Sequence, residues 1–99
     1  MNTATLAAVA PSLATLTKLA TLGVQRRGST LRCKMPRATV NPTVRHDLTK
    51  SLLEQGASVQ ICESDVIWNP HLGEDGVVVW DSRSTSRDRD YVTFVVDLS

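Results

Sequence analysis

The feature that most constrains this chain is the distribution of its charged residues. Residues 1–46 contain seven Lys and Arg residues and no Asp or Glu, whereas residues 47–99 contain all ten acidic residues and four basic ones. The formal net charge of +1 conceals this difference. Since a uniform domain rarely has so uneven a distribution, the sequence predicts two regions with different roles. The apolar runs fall well short of the roughly 20 residues that span a membrane, so no transmembrane span is predicted.

The segment 1–33 has the composition of an organellar transit peptide. It contains fourteen Ala, Ser and Thr residues, six Leu residues, four basic residues and no acid. Secretory signals differ, because they place a basic cluster before an uninterrupted apolar stretch. Apolar residues at helical spacing predict an amphipathic helix; they are Leu6, Val9, Leu13, Leu16 and Ala20. Pro11 lies within this pattern and is expected to kink or interrupt the helix in water.

The charges within this segment favour a plastid destination over a mitochondrial one. Mitochondrial presequences usually carry Arg on their first helix because the membrane potential draws cations inward, but Lys18 is the one charged side chain in the segment 1–25. The run from residue 29 to residue 34 resembles plastid processing sites and predicts cleavage near Cys33 and Lys34. Mitochondrial import is the alternative. A third interpretation keeps the segment attached, as an arm that docks on a partner or makes peripheral contact with a membrane.

Residues 34–41 are expected to form an extended lead-in to a small domain at 42–99. A helix is predicted over residues 42–55, with Asn41 as its N-cap and Pro42 in the first turn. Its apolar face is formed by Val44, Leu48, Leu52 and Leu53. Gly56 supplies the left-handed residue that commonly ends a helix.

Beyond Gly56 the apolar residues alternate, which predicts strands. The segments 59–61, 66–68 and 77–80 are predicted to be strands, with 77–80 covered on both faces. Residues 81–90 are expected to form a polar loop. Strict alternation from Tyr91 to Leu98 predicts a final strand, taken as the edge of the sheet. The predicted fold is therefore α+β: one helix packed on a small antiparallel sheet of three to four strands, preceded by a largely disordered targeting segment.

Residues of the metal-ligating types cluster between residues 62 and 75. Cys62, His71 and Glu74 are weak candidates for a metal site, supported by Asp65 and Asp75 nearby. The spacing of known zinc sites, such as Cys-x-x-Cys, is missing from the sequence. Cys62 could also form a thiol–imidazole pair with one of the two histidines, His46 or His71. These signals are nonspecific, so no cofactor or catalytic residue is predicted, and whether the chain is an enzyme stays open.

The segment from Ser82 to Asp90 contains three arginines among serines, a composition that suggests nucleic-acid binding. Aspartates within and before the segment bring its local net charge near zero, and phosphate affinity depends on uncompensated cations. The sequence therefore predicts no nucleic-acid partner.

Four side chains are predicted to bind a protein partner. Trp68 and Trp80 would anchor an interface, and Tyr91 and Val95 would need cover on the second face of the final strand. The leading functional prediction is an imported, non-catalytic accessory or assembly subunit of a plastid protein complex, such as a photosynthetic one, with self-association as a second kind of partnership. The alternatives are a small metal- or thiol-dependent organellar enzyme using Cys62 and His71, and a truncated gene product without a settled function.

Overall fold

The structure, a computed structural model, describes residues 3–87 and 89–99, with side chains from Val9 onward. Leu6 of the predicted apolar helix face and Asp88 of the predicted loop therefore lie outside the described side chains. The described residues form two α-helices, a 3₁₀ turn at Arg37–Thr39 and one six-stranded sheet. In chain order the elements are α1 Thr3–Leu19, β1 Gly23–Arg27, β2 Thr30–Pro36, α2 Pro42–Glu54, β3 Ser58–Glu63, β4 Val66–Leu72, β5 Val78–Ser84 and β6 Tyr91–Asp97.

The strand order corrects the predicted fold class. Every strand pairs antiparallel with its neighbours, in the order β1-β2-β6-β3-β4-β5. The prediction of one helix on three to four strands is wrong, because residues 3–36 add a second helix and two further strands. The prediction that β6 is an edge strand is also wrong, because β6 lies between β2 and β3. Its strict alternation instead reflects one face buried in the core and one face more exposed.

Helix α2 confirms the helix predicted over residues 42–55 to within one residue. The side chain of Asn41 accepts a hydrogen bond from the backbone N–H of Val44 at 2.8 Å, and this satisfies one of the free donors of the first turn. At the other end Gly56 has a φ of 94°, a left-handed conformation that other residues rarely adopt. Leu48 and Leu52 point into the core.

Helix α1 shows that the apolar pattern of the first segment serves the core of the fold. Val9, Leu16 and Ala20 are buried in the same cluster as the residues of α2 and the sheet. The helix continues through Pro11, contrary to the predicted interruption. The hydroxyls of Ser12 and Ser51 lie 2.6 Å apart and join α1 to α2. No described helix is long and apolar enough to cross a membrane.

The hairpin of β1 and β2 also corrects the expectation of disorder before residue 34. Gly28 has a φ of 62° in the turn between the two strands, which suits a tight hairpin. Along β2, Cys33 and Met35 are fully buried whereas Arg32 is exposed. This is the period of two that a half-buried strand requires.

The sheet has one face covered by the two helices and one face without a helix. On β6, Val92, Phe94 and Val96 are buried in the cluster that includes α1 and α2. The intervening residues of β6 are half-buried and lie on the other side, which is called the open face below.

The structure also corrects two predictions about β5 and the loop that follows it. The strand β5 extends to Ser84, so the predicted loop shortens to 85–90, and Val79 is 39% exposed rather than covered.

Candidate functional site

A pocket of about 330 Å³ lies on the open face, between the strands β1, β2, β6 and β3 and the loop 85–90. Four basic side chains line it, and none of its described lining residues is acidic. The basic residues are Arg32, Lys34, Arg87 and Arg89. The remaining lining residues are neutral, and Cys62, Tyr91 and Thr93 contribute a thiol and two hydroxyls.

The register of β2 places two of these cations on the open face. Arg32 pairs with Val95 of β6, and Lys34 pairs with Thr93. Cys33 lies between them and points into the core, opposite Phe94. Burial raises the pKa of the Cys33 thiol, which keeps it protonated at neutral pH.

Tyr91 holds Lys34 at the rim of the pocket. The Nζ atom of Lys34 lies 3.8 Å from the centroid of the Tyr91 ring, within the range of a cation–π interaction. The ring therefore restricts where the ammonium group can go without removing its charge. The Tyr91 hydroxyl remains a hydrogen-bond donor of the same pocket.

The loop 85–90 is tied down by arginine side chains. Arg89 donates a hydrogen bond from Nη1 to the carbonyl oxygen of Ser64 at 3.0 Å, and Arg37 donates to the carbonyl oxygen of Arg89. These contacts hold Arg87 and Arg89 above the sheet. Neither Arg32 nor Arg87 has a side-chain hydrogen bond or ion pair among the described residues, so both guanidinium groups are available to a ligand.

A second concavity, of about 520 Å³, extends the basic surface toward the β1–β2 hairpin. It shares Gln25 and Arg32 with the first pocket and adds Arg26, Arg27 and Thr30. We use the name basic strip for the combined set of cations, which comprises Arg26, Arg27, Arg32, Lys34, Arg87 and Arg89. Neither concavity of the strip has an acidic residue among its described lining residues.

The structure does not bring the predicted metal candidates together. Cys62 faces Ile67 across β3 and β4, and His71 lies four residues farther along β4, about 13 Å away at the usual rise of a strand. Glu74 lies in the turn after β4. Among the described residues no group of three or more His, Cys, Asp or Glu side chains is placed to hold a metal ion. His71 instead lies 3.3 Å from the carboxylate of Asp81.

The predicted partner-binding residues fall on opposite faces of the sheet. Trp68 and Trp80 pack edge to face on the helix-covered side, with ring centroids 5.8 Å apart. The guanidinium of Arg45 from α2 lies 5.1 Å and 5.4 Å from the two rings. Tyr91 and Val95 lie on the open face. The two indoles therefore serve an internal contact, while Tyr91 belongs to the pocket.

The predicted processing site lies within a paired strand of the sheet. Cys33 and Lys34 belong to β2, which pairs with β1 on one side and β6 on the other. A cut there would separate α1, β1 and the first half of β2 from the rest. Removal of a transit peptide stays a prediction.

Sequence reasoning missed the basic strip because its members are far apart along the chain. The signal for Arg32 and Lys34 was present, since these cations alternate with Leu31, Cys33 and Met35 as in a strand. Arg87 could be placed beside them only through the pairing of β6 with β2. No family model, curated protein or solved structure matches this chain.

Proposed function

We propose that this chain is a non-catalytic accessory subunit that binds an acidic segment of a partner protein along the basic strip. The observation that carries the proposal is the gathering of six cations, with no acid among the described residues that line the two concavities, in a chain whose net charge is only +1. Uncompensated like charges repel one another in the free protein, and an anionic ligand relieves that repulsion.

The chemistry of the strip suits carboxylates or phosphates. Five of its cations are arginines, whose planar guanidinium groups bind such groups through two parallel hydrogen bonds. The Tyr91 and Thr93 hydroxyls of the first pocket add further hydrogen-bond donors for such a group. This inventory supports a binding role.

An acidic protein segment fits the strip better than a nucleic acid does. Single-stranded nucleic acids are held by aromatic side chains on which bases stack, in addition to cations. Tyr91 is the aromatic residue that lines the described strip, and Lys34 already covers its ring. An extended acidic segment needs no stacking surface, because its charges can follow the cations from the loop to the hairpin.

The proposal requires residues 22–33 in the working protein, because they supply one side of both pockets. We therefore propose that the first segment stays attached, in keeping with the interpretation of it as a docking arm. Retention would remove the basis of the targeting interpretation, so the plastid location and the photosynthetic class of partner are not part of this proposal. The intact mass of the protein from its native cells tests retention, since a start near Cys33 or Lys34 would remove much of the strip.

A binding experiment tests the strip directly. Fluorescence anisotropy of a labelled decaglutamate peptide is measured with the full chain at low and at physiological salt. The variant R32Q/R87Q is expected to weaken binding about tenfold, because each exposed charge pair contributes up to about 1 kcal/mol. Binding is also expected to weaken as salt rises.

The control variant K18Q/K50Q removes the same charge from the exposed surface of the two helices. It is expected to bind the peptide as the unmodified chain does. Equal losses in both variants would reduce the interaction to general charge attraction and would overturn the proposal. A labelled single-stranded oligonucleotide that binds more tightly than the peptide at the same salt would reassign the strip to nucleic acid.

A further inference from the structure

The strand β5 has a free backbone edge. It is the last strand in the sheet order, so no strand of the described chain pairs with its outer side. The carbonyl oxygen of Val77 accepts a hydrogen bond from Gly73, and the N–H of Thr85 donates one to Asp65. Odd-numbered residues of this strand therefore direct their backbone groups toward β4. The even-numbered residues, such as Ser82, direct theirs outward, where they are available to another strand.

The composition of this edge gives it little protection against pairing. It is seven residues long, contains no proline, and follows Val77, which is 59% exposed. Natural edge strands are usually short, or protected by proline, bulges or charged side chains. Of these devices β5 has only two charges of opposite sign, Asp81 and Arg83, which leave it able to pair with a strand of complementary charge.

The charges along β5 identify the partner strand. Asp81 and Arg83 lie two residues apart and pair with Asn69 and Ile67 of β4, which places both on the open face. If a second copy pairs antiparallel about a twofold axis at Ser82, each Asp81 lies opposite Arg83 of the partner subunit. In the neighbouring registers, the Asp81 residues of the two copies face each other, the Arg83 residues face each other, or Val79 of one copy faces Asp81 of the other. Only the register centred on Ser82 pairs opposite charges at both positions.

We infer that two copies of this chain associate through β5 in this register, which forms one continuous sheet with a single open face. The backbone directions agree with this register, because the residues whose N–H and C=O groups point outward then face one another. Ser82 faces Ser82 of the partner subunit, and Trp80 faces the partner's Ser84. His71 lies 3.3 Å from one carboxylate oxygen of Asp81, and both side chains are more than half exposed. The second oxygen remains for the arginine of the other copy.

The other edge of the sheet is unlike β5, which explains why association stops at two copies. The strand β1 has five residues and carries Arg26 and Arg27, so pairing this edge with itself would bring like charges together. A contact that uses the same patch on both subunits closes on itself and forms no fibre. The dimer contact at β5 and the strands β1 and β2 of the basic strip lie toward opposite edges of the sheet, so neither requires the other.

The test is the oligomeric state of the full chain and of two charge reversals, measured by sedimentation. The unmodified chain is expected to form a dimer. The variants D81R and R83D each place like charges opposite each other at both positions and are expected to weaken dimerisation at least about tenfold.

An equimolar mixture of D81R and R83D provides the decisive measurement. In the mixed dimer every reversed residue faces an opposite charge, so the mixture is expected to regain the affinity of the unmodified chain. The double variant D81R/R83D is expected to dimerise with itself for the same reason. A chain that stays monomeric up to about 1 mM, or a mixture no more associated than its components, would overturn the inference.

Discussion

The two faces of this sheet use the same strands for opposite purposes. The covered face contributes Phe94, Met35 and Ile61 to a core sealed by α1 and α2, and none of the three side chains is accessible to solvent. The open face carries Arg32, Lys34 and the pocket beneath the loop. Because side chains alternate along a strand, neighbouring residues of β2 point in turn into the core and toward the open face. The comparison shows that a basic, acid-poor segment can belong to a folded core and still expose its charges.

Removing residues 1–33 is expected to have the largest effect on the covered face. The truncated chain loses α1, β1 and half of β2, together with the buried Val9, Leu16 and Ala20. A chain of about 66 residues with a reduced core seldom remains stable alone. We expect the truncated chain to show no cooperative thermal unfolding, in contrast to the full chain, by circular dichroism.

A truncated chain that unfolds cooperatively near the temperature of the full chain would contradict this expectation. It would show that α1 and β1 add little to the core. The predicted removal of a transit peptide near Cys33 would then be compatible with a stable mature domain.

Two neighbouring residues of β6 allow the faces to be compared at a single point. Phe94 is fully buried, so Phe94→Ala is expected to lower the free energy of unfolding by about 3–5 kcal/mol through lost burial and a cavity. Val95 is half-buried on the open face, so Val95→Ala is expected to cost less than about 1 kcal/mol. Urea unfolding measures both, and similar losses in the two variants would mean that the open face is covered as fully as the core.

The parts of the fold that depend on local signals could be predicted from the sequence. Helix α2 is determined by a cap at Asn41, by apolar spacing and by Gly56, which all lie within or directly beside the helix. The alternation of β6 is also a local signal, and it identified the strand correctly. Its place in the centre of the sheet could not be predicted, because it depends on pairing with β2, from which α2 and three strands separate it along the chain.

The candidate site was less predictable than the fold. The composition of the segment 1–33 led to a targeting interpretation, and this concealed the alternation of β2 and the Gly28 turn. From the sequence, the charges of the loop arginines are expected to be balanced by neighbouring aspartates, Asp81 among them. In the folded chain Asp81 lies beside His71 of β4, and Arg87 lines the same pocket as Arg32. The net charge of a sequence segment therefore does not predict the net charge of the surface to which its residues contribute.

The smallest expected effect concerns Asp97, an acidic residue at the end of β6 on the open face. Its carboxylate accepts hydrogen bonds from the backbone N–H of Ser99 at 2.9 Å and from the Ser99 hydroxyl at 2.7 Å, and a longer one from Ser29. The backbone bond is the main reason that the pKa of Asp97 lies below its ordinary value of 3.8. Since folding lowers this pKa, the charged form stabilises the folded state above pH 3.8, and that contribution is lost as the pH falls through the folded-state value.

Asp97→Asn is therefore expected to unfold at a slightly lower urea concentration than the unmodified chain at neutral pH, and the difference is expected to shrink as the pH falls below 3.8. The matched control is Ser99→Ala, which removes the hydroxyl but keeps the backbone donor, so its effect at neutral pH is expected to be smaller. A loss in Asp97→Asn that stays constant from pH 7 to pH 2 would show that the side chain acts through packing. The charge of Asp97 would then contribute nothing to the stability of the folded chain.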